Sequence, residues 1–124
     1  MSVIVPIYTA IPEPGDPKAW TVSWGPMVNG DTGAPISSMF AYADRSVQVE
    51  GTFGSGGTVA FEGSNDQVNY RTLTSPQGTN LTIIMASLVA IVEMATAYRP
   101  HVTGGDGTTS LTVTMFLRRT TPGA

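Results

Sequence analysis

The sequence contains no cysteine and few charged residues. Without thiols, neither a disulfide framework nor a thiolate-based site is possible, and the redox compartment cannot be assigned from the residues. Charged residues make up 12% of the 124 residues, about half of the roughly 25% that is usual in soluble domains. Such a surface is either solvated by Ser, Thr, Asn and Gly or partly covered by another molecule.

The small net charge of −3 argues against two classes of partner. Nucleic-acid binding needs basic residues that neutralise phosphates, and an anionic membrane attracts basic segments in the same way. The chain also lacks the apolar run of about 18 residues that is typical of a transmembrane helix. We therefore expect neither nucleic acid nor a membrane as a partner.

The central stretch, residues 46–66, predicts a β-hairpin. Apolar and polar residues alternate over residues 47–53 and again over residues 58–62, which is the period of a half-buried strand. The glycine-rich segment at residues 54–57 joins the two runs and supplies the backbone freedom of a tight reversal. This hairpin indicates an all-β class.

Shorter segments of the same kind occur along the rest of the chain. Strands are predicted at residues 18–27, 70–74, 81–85, 98–102 and 110–117, with turns rich in Gly, Pro, Asn and Asp between them. Pro100 suggests a sheet edge or a bulge for its strand, whereas residues 88–94 fit a helical turn or a strand equally well. The pattern predicts a two-sheet antiparallel β-sandwich, and we favour a jelly-roll topology over an immunoglobulin-like one.

The N-terminal segment differs from the rest of the chain. Prolines at positions 6, 12, 14 and 17 exclude a helix and favour an extended arm over residues 1–17. We expect the arm either to lie along its own sandwich as an edge strand or to bind another subunit, because free tails are poor in apolar residues. Residues 18–119 then form the sandwich domain, and residues 120–124 form a short C-terminal tail. The candidate partner-binding residues of the arm are Val3, Ile4, Val5, Ile7, Tyr8 and Ile11.

Four polar loop residues are candidates for ligand or partner contacts: Asp31, Asn65, Asp66 and Asp106. Carboxylates in glycine-rich loops can bind Ca²⁺ together with main-chain carbonyls. None has the repeated spacing of a calcium-binding loop, and such residues mainly form turns. We expect no metal site and no cofactor.

His101 is the only histidine and the one candidate for acid–base catalysis. A Ser-His-Asp site needs a nucleophile and a carboxylate beside the imidazole in space, and the abundance of Ser and Asp prevents a test of this from sequence. We therefore expect a protein that is not an enzyme and has no catalytic residue.

Four stretches together resemble a family of small virion proteins of tailed bacteriophages, and they are most similar to jelly-roll capsid decoration or cement proteins. They are ADRSVQVEGTFGSGGTVAFEGSND at residues 43–66, LTSPQG at 73–78, YRPHVTGGDGTTSLTV at 98–113 and NGDTGAP at 29–35. More distantly, residues 62–66 with Tyr70 and the strand from Tyr98 are similar to discoidin-like, galactose-binding-type sandwiches, whose loops bind sugars or lipids.

The resemblance implies a structural role in the virion. A cement protein bridges neighbouring subunits of the major capsid protein on the outer surface of the shell, after synthesis in the host cytoplasm. It also implies a homo-oligomer, a dimer or a trimer, whose arm adds a strand to a neighbour or fills a groove on it. The alternatives are a tail- or fibre-associated module, a carbohydrate-binding module of discoidin-like type and, last, a hydrolase that uses His101.

Overall fold

A computed structural model describes residues 2–11, 19–37, 42 and 44–119. The predicted C-terminal tail and residues 12–18 of the predicted arm and of the first predicted strand lie outside these residues. The described residues form strands and turns and no helix, which confirms the predicted all-β class. In chain order the strands are β1 (Val3–Ile4), β2 (Ile7–Ile11), β3 (Ala19–Met27), β4 (Thr32–Gly33), β5 (Ile36–Ser37), β6 (Asp44–Thr52), β7 (Thr58–Ser64), β8 (Arg71–Thr72), β9 (Thr82–Ile83), β10 (Ser87–Ala90), β11 (Ala97–Gly104) and β12 (Ser110–Arg118).

These strands form two sheets that share one core. Sheet A has the order β1-β4-β11-β7-β8, with β5 also paired to β11 and β9 to β7, and sheet B has the order β10-β6-β12-β3-β2. The pairing of β1 with β4 is parallel, and the other pairs among the described strands are antiparallel. The predicted two-sheet β-sandwich is confirmed. The hairpin predicted over residues 46–66 is wrong, because β6 lies in sheet B and β7 in sheet A, so the glycine-rich turn at residues 54–57 joins the two sheets.

The strand order is that of a jelly roll. Two short pairs, β4 with β5 and β8 with β9, each act as one interrupted strand, so that β3 to β12 correspond to eight strands. If these eight are numbered from 1 (β3) to 8 (β12) in chain order, sheet B has the order 1-8-3-6 and sheet A the order 2-7-4-5. This is the arrangement of a double-sheet jelly roll with two Greek keys. The favoured topology is confirmed over the immunoglobulin-like alternative.

The core lies between the sheets and follows the alternation of the sequence. In β12 the inward side chains from Leu111 to Leu117 are fully buried, while Thr112 points to solvent. An aromatic group spans the two sheets at the centre, because Trp24 of β3 meets Phe61 of β7 edge to face, with ring centroids 6.2 Å apart. Phe61 in turn stacks on Tyr98 of β11 at 6.4 Å. The predicted alternation in the last strand is confirmed.

Pro100 lies in an inner strand, so the expectation of a sheet edge is wrong. It stands opposite Phe61, whose own N–H and C=O bond to Leu81 and Leu73 on the far side. On the other side of β11, the neighbouring strands β4 and β5 are interrupted between Gly33 and Ile36. No residue of an adjacent strand therefore needs a hydrogen bond from the missing N–H of Pro100. The bulge of β11 lies two residues further on, after Val102.

The ambiguous residues 88–94 begin as a strand and continue as irregular chain. β10 pairs with β6 over Ser87 to Ala90, with Val89 opposite Val47. Beyond it, Ile91 is buried, and its N–H donates to the carbonyl of Arg45 at 3.1 Å. Pairing with β6 thus selects the strand over the helical turn.

Candidate functional site

The N-terminal arm lies on its own sandwich. β1 extends sheet A beside β4, and β2 extends sheet B beside β3. Pro6 stands between the two strands, where the chain passes from one sheet to the other. Residues 2–11 thus have the edge-strand arrangement, and binding of another subunit by their outward side stays a prediction.

Asp31 fixes the start of the arm. Its carboxylate is buried and accepts the N–H of Ser2 at 3.0 Å and that of Val28 at 2.9 Å. Main-chain bonds continue the attachment, because Thr32 donates to the carbonyl of Ser2 and Ala34 to that of Ile4. This candidate loop residue therefore has a structural role, with both carboxylate oxygens in use.

Most of the large apolar side chains of the arm point to solvent. Ile4 packs against the core, whereas the other five predicted contact residues are exposed. Partial burial of Tyr8 raises the pKa of its phenol above the ordinary value. We call the exposed set the arm surface: Val3, Val5, Ile7, Tyr8 and Ile11.

A second apolar surface lies at the opposite side of the sandwich. Here β10 is the last strand of sheet B, and β9 pairs with β7 at the corresponding side of sheet A. A groove of about 280 Å³ runs along this side, with Leu81, Ile83 and Val89 in its lining. Ile84 and Met85 line it as well. We call the exposed apolar residues of β10 and the chain on either side of it the β10 edge: Ile84, Met85, Leu88 and Val92.

The outer face of sheet B carries hydroxyl groups and little charge. Ser23 and Thr114 are hydrogen-bonded across β3 and β12 at 3.3 Å, and Thr21 and Thr112 share this face. One ion pair stands at its end, where Arg118 donates to Asp44 at 2.7 Å. This face is thus rich in hydroxyl groups, with one further carboxylate, that of the exposed Glu50, opposite Thr112.

The outer face of sheet A carries a polar cluster around Glu62. The carboxylate accepts Arg99 Nε at 2.9 Å and lies 3.4 Å from His101 Nδ1. The guanidinium of Arg99 also lies 3.9 Å from the centre of the Tyr70 ring. The carboxylate beside His101 is therefore already bound by an arginine, and the absence of enzymatic activity stays a prediction.

Asn65 and Asp66 stabilise the loop between β7 and β8. The Asp66 carboxylate accepts the N–H groups of Asn69 and Val68 and the hydroxyl of Ser64. These bonds, with that of Asn69 the strongest, hold the pKa of Asp66 well below its usual range. Asn65 accepts the N–H of Thr96 at 3.3 Å, which attaches this loop to the segment before β11.

Asp106 joins two turns at the other end of the sandwich. Its carboxylate accepts the hydroxyl and N–H of Thr108 and, across the gap, the N–H of Ser55 at 2.8 Å. These hydrogen bonds, led by the Thr108 hydroxyl, lower the pKa of Asp106 to about 2. Asn29, two residues before Asp31, donates to Gly105 at 3.3 Å, so Asp31 and Asp106 belong to one end and Asn65 and Asp66 to the other.

The four loop candidates therefore do not form one site. Within residues 2–11, 19–37, 42 and 44–119, no group of three or more His, Asp or Glu side chains could hold a metal ion. The same ranges contain no helix long and apolar enough to cross a membrane. The structure brings together apolar surfaces instead, at the two opposite sides of the sandwich.

The β10 edge was not predicted from the sequence. The available signal is that residues 73–92 contain no charged side chain. Short strands and an ambiguous segment share this run, so the sequence alone does not indicate that its apolar residues are exposed. Exposure follows from the position of β10 at the end of sheet B, which depends on strand order.

The fold and these surfaces define a jelly-roll β-sandwich with two apolar sides. No protein-family model matches the chain, and a search of curated proteins finds no significant match. Among solved structures, the chain is similar to the crystal structure of the SPBc2 prophage-derived protein YomS, with a TM-score of 0.61 and 10% sequence identity. The match covers 80% of this chain and 93% of that protein, so nearly the whole of YomS shares the fold.

Proposed function

We propose that this chain is a structural virion protein of a tailed bacteriophage that decorates and stabilises the capsid by bridging neighbouring capsid subunits. The jelly-roll fold, its similarity to a prophage-derived protein and the motif resemblance support a phage origin. The proposed location is the outer surface of the shell, reached after synthesis in the host cytoplasm. The proposed partner is the major capsid protein.

The arm surface is the observation that carries this proposal. Five large apolar side chains stand exposed within nine residues, although their backbone is paired in two sheets. So many exposed apolar side chains in a short segment favour a protein contact over a solvated edge. β2 is also the end strand of sheet B, so a capsid segment can add to it by strand pairing.

Repetition on a lattice makes such a small contact effective. A decoration protein needs only a weak contact per copy, because each copy that touches two capsid subunits gains from their fixed spacing. The outer face of sheet B suits this role, since hydroxyl groups predominate on it and few charges have to be desolvated against a neighbour. A sandwich that presents an apolar side and a face of low charge is therefore adapted to structural bridging.

The test compares two valines of equal exposure. Val5 on the arm surface is 76% exposed, and Val68 in the loop after β7 is 78% exposed. We expect Val5→Asp to weaken binding to empty phage shells at least tenfold, because it places a charge in the apolar contact, and Val68→Asp to bind as the unaltered protein does. Co-sedimentation with shells that lack the protein measures both.

Unchanged binding of Val5→Asp would contradict the arm as the capsid contact. The number of copies per purified particle, from quantitative mass spectrometry, separates decoration from the alternative of a tail- or fibre-associated module. Hundreds of copies are expected for a decoration protein and few for a tail module. Particles with few copies would favour that alternative.

A further inference from the structure

We propose that the free edge of β10 is a two-fold interface between two copies of this chain, in which β10 pairs antiparallel with its own equivalent around Val89. The interface extends sheet B across the symmetry axis. It lies on the side of the sandwich opposite the arm surface. The inference does not depend on the proposed capsid function.

The hydrogen-bond register of β10 leaves the required groups free. Ser87 and Val89 stand opposite Val49 and Val47, and the same register continues to Ile91, whose N–H donates to Arg45. Because main-chain groups alternate in direction along a strand, these odd-numbered residues bond to β6. The N–H and C=O groups of Leu88 and Ala90 therefore point away from the sheet.

A two-fold axis at Val89 pairs these outward groups with each other. It places Leu88 opposite Ala90 of the second copy, and Ala90 opposite Leu88 of the second copy. This is the hydrogen-bonded type of antiparallel pair, in which the two residues exchange both of their N–H···O=C bonds. A shift by one residue would place Leu88 or Ala90 opposite a residue whose N–H and C=O already bond to β6. The register of the proposed pairing is therefore well specified.

The exposed side chains nearest the axis are a large and a small apolar one. Leu88 and Ala90 are both exposed, and the two-fold axis places Leu88 of each copy beside Ala90 of the other on the outer face of sheet B. Ile84 and Met85, just before β10, are exposed as well. An isologous interface requires a patch that is complementary to itself, and a large side chain beside a small one on both sides of the axis meets this requirement.

Charge also favours a second copy as the occupant. No charged residue occurs from residue 73 to residue 92, so two copies approach without like-charge repulsion. Natural edge strands are normally protected by lysine, proline or bulges. β10 contains none of these protections, since Ser87 to Ala90 include neither a proline nor a charged residue.

The test uses two residues of one cross-strand row. Ile7, Ser23, Thr114, Gln48 and Leu88 lie side by side across the outer face of sheet B. The two end residues are equally accessible, since Ile7 is 68% exposed and Leu88 is 67% exposed. Leu88→Lys and Ile7→Lys therefore add the same charge to the same face, at opposite edges.

We expect light scattering coupled to size exclusion to show a dimer for the unaltered protein. Leu88→Lys should weaken dimerisation at least tenfold, because two like charges meet near the axis, and Ile7→Lys should leave it unchanged. A monomer at all concentrations would overturn the proposal. So would a dimer that Ile7→Lys dissociates, because the arm edge would then be part of the interface.

Cysteine pairing tests the register independently, since the natural chain has no thiol. In the proposed interface, residues 88 and 90 of different copies have Cα atoms about 5.5 Å apart, which suits a disulfide. A mixture of Leu88→Cys and Ala90→Cys chains should form a mixed disulfide faster than either variant alone. Equal rates for the mixture and the single variants would overturn the register, even if a dimer exists.

Discussion

Gly33 allows Pro100 to occupy the middle of sheet A. A methyl group at this glycine would lie 2.6 Å from Cδ of Pro100 and 2.7 Å from Cδ1 of Trp24. Both neighbours are buried rings with little freedom to move. The absence of a side chain at one residue thus decides how a proline and a tryptophan pack together.

Gly33→Ala should therefore destabilise the protein by about 1–3 kcal/mol, as overpacking of a close-packed core does. Gly107→Ala is the matched control, because a methyl group there meets no atom within 4 Å, and it should change the free energy of unfolding by less than about 0.5 kcal/mol. Urea unfolding of both variants measures the difference. Equal effects would show that Pro100 can move away.

At the scale of elements, the arm depends on one carboxylate. Asp31→Ala removes the acceptor of the N–H groups of Ser2 and Val28, and a hydrogen bond to a charged group contributes about 1.5–3 kcal/mol. We expect a loss of about 2 kcal/mol in the free energy of unfolding. Hydrogen exchange in residues 2–11 should become faster.

Asp44→Ala provides the comparison for this carboxylate. Asp44 is bonded to Arg118 on the surface, where the two side chains are 45% and 61% exposed, and such a pair contributes less than about 1 kcal/mol. If both alanine variants lose the same stability, Asp31 does not anchor the arm. Faster exchange confined to the arm in the Asp31 variant alone would support the anchor.

Strands with clear alternation were predictable from the residues themselves. In β6, β7 and β12 the apolar residues at alternate positions around Val49, Phe61 and Val113 are buried. The pairing of β6 with β7 in a hairpin was wrongly predicted, because the two strands lie in different sheets, and a glycine-rich turn does not specify whether the chain stays in one sheet. The strand at residues 88–90 was ambiguous because its pairing with β6 selects it, and pairing between distant segments is not a local property. The position of Pro100 was wrongly predicted for the same reason. The gap between β4 and β5 that accommodates it lies at residues 34–35, far from Pro100 in the sequence.

The candidate site could be predicted in composition but not in position. The apolar residues of the arm were identified from the unusual content of that segment, and five of them are exposed. The backbone of the arm pairs with β4 in sheet A and with β3 in sheet B. This pairing involves distant segments, so the sequence did not decide between an edge strand and a contact with another subunit. Asp66 and Asp106 accept N–H groups two or three residues further on, as in turns, whereas Asp31 and Asn65 also bond to distant segments, which the sequence could not show.

At the scale of the whole molecule, both ends of the sandwich should respond to acid. Asp106 has an ordinary pKa of 3.8 that the fold lowers to about 2, and the pKa of Asp66 is lowered in the same direction. A lowered pKa in the folded state gives stability that is complete above the ordinary pKa and is lost as the pH falls through the folded one. Stability should therefore decline between about pH 4 and pH 2.

Asp106→Asn should reduce this acid sensitivity, since the amide does not titrate. The measurement is the thermal midpoint at several pH values across that range, for the variant and the unaltered protein. Glu50→Gln is the control, because Glu50 lies on the exposed face of β6, where the Gln48 side chain donates to it. An acid slope that Asp106→Asn leaves unchanged would show that the turn carboxylates do not govern acid stability.

The position of β12 has a consequence for synthesis on the ribosome. This strand lies between β6 and β3 at the centre of sheet B, although it follows every other described strand in the sequence. Sheet B therefore cannot close until residues up to Arg118 have left the exit tunnel. Until then β3 and β6 expose unpaired edges and apolar faces, which are sites of aggregation. A nascent chain stalled before Ser110 should thus depend on chaperones, whereas the released chain can fold at once.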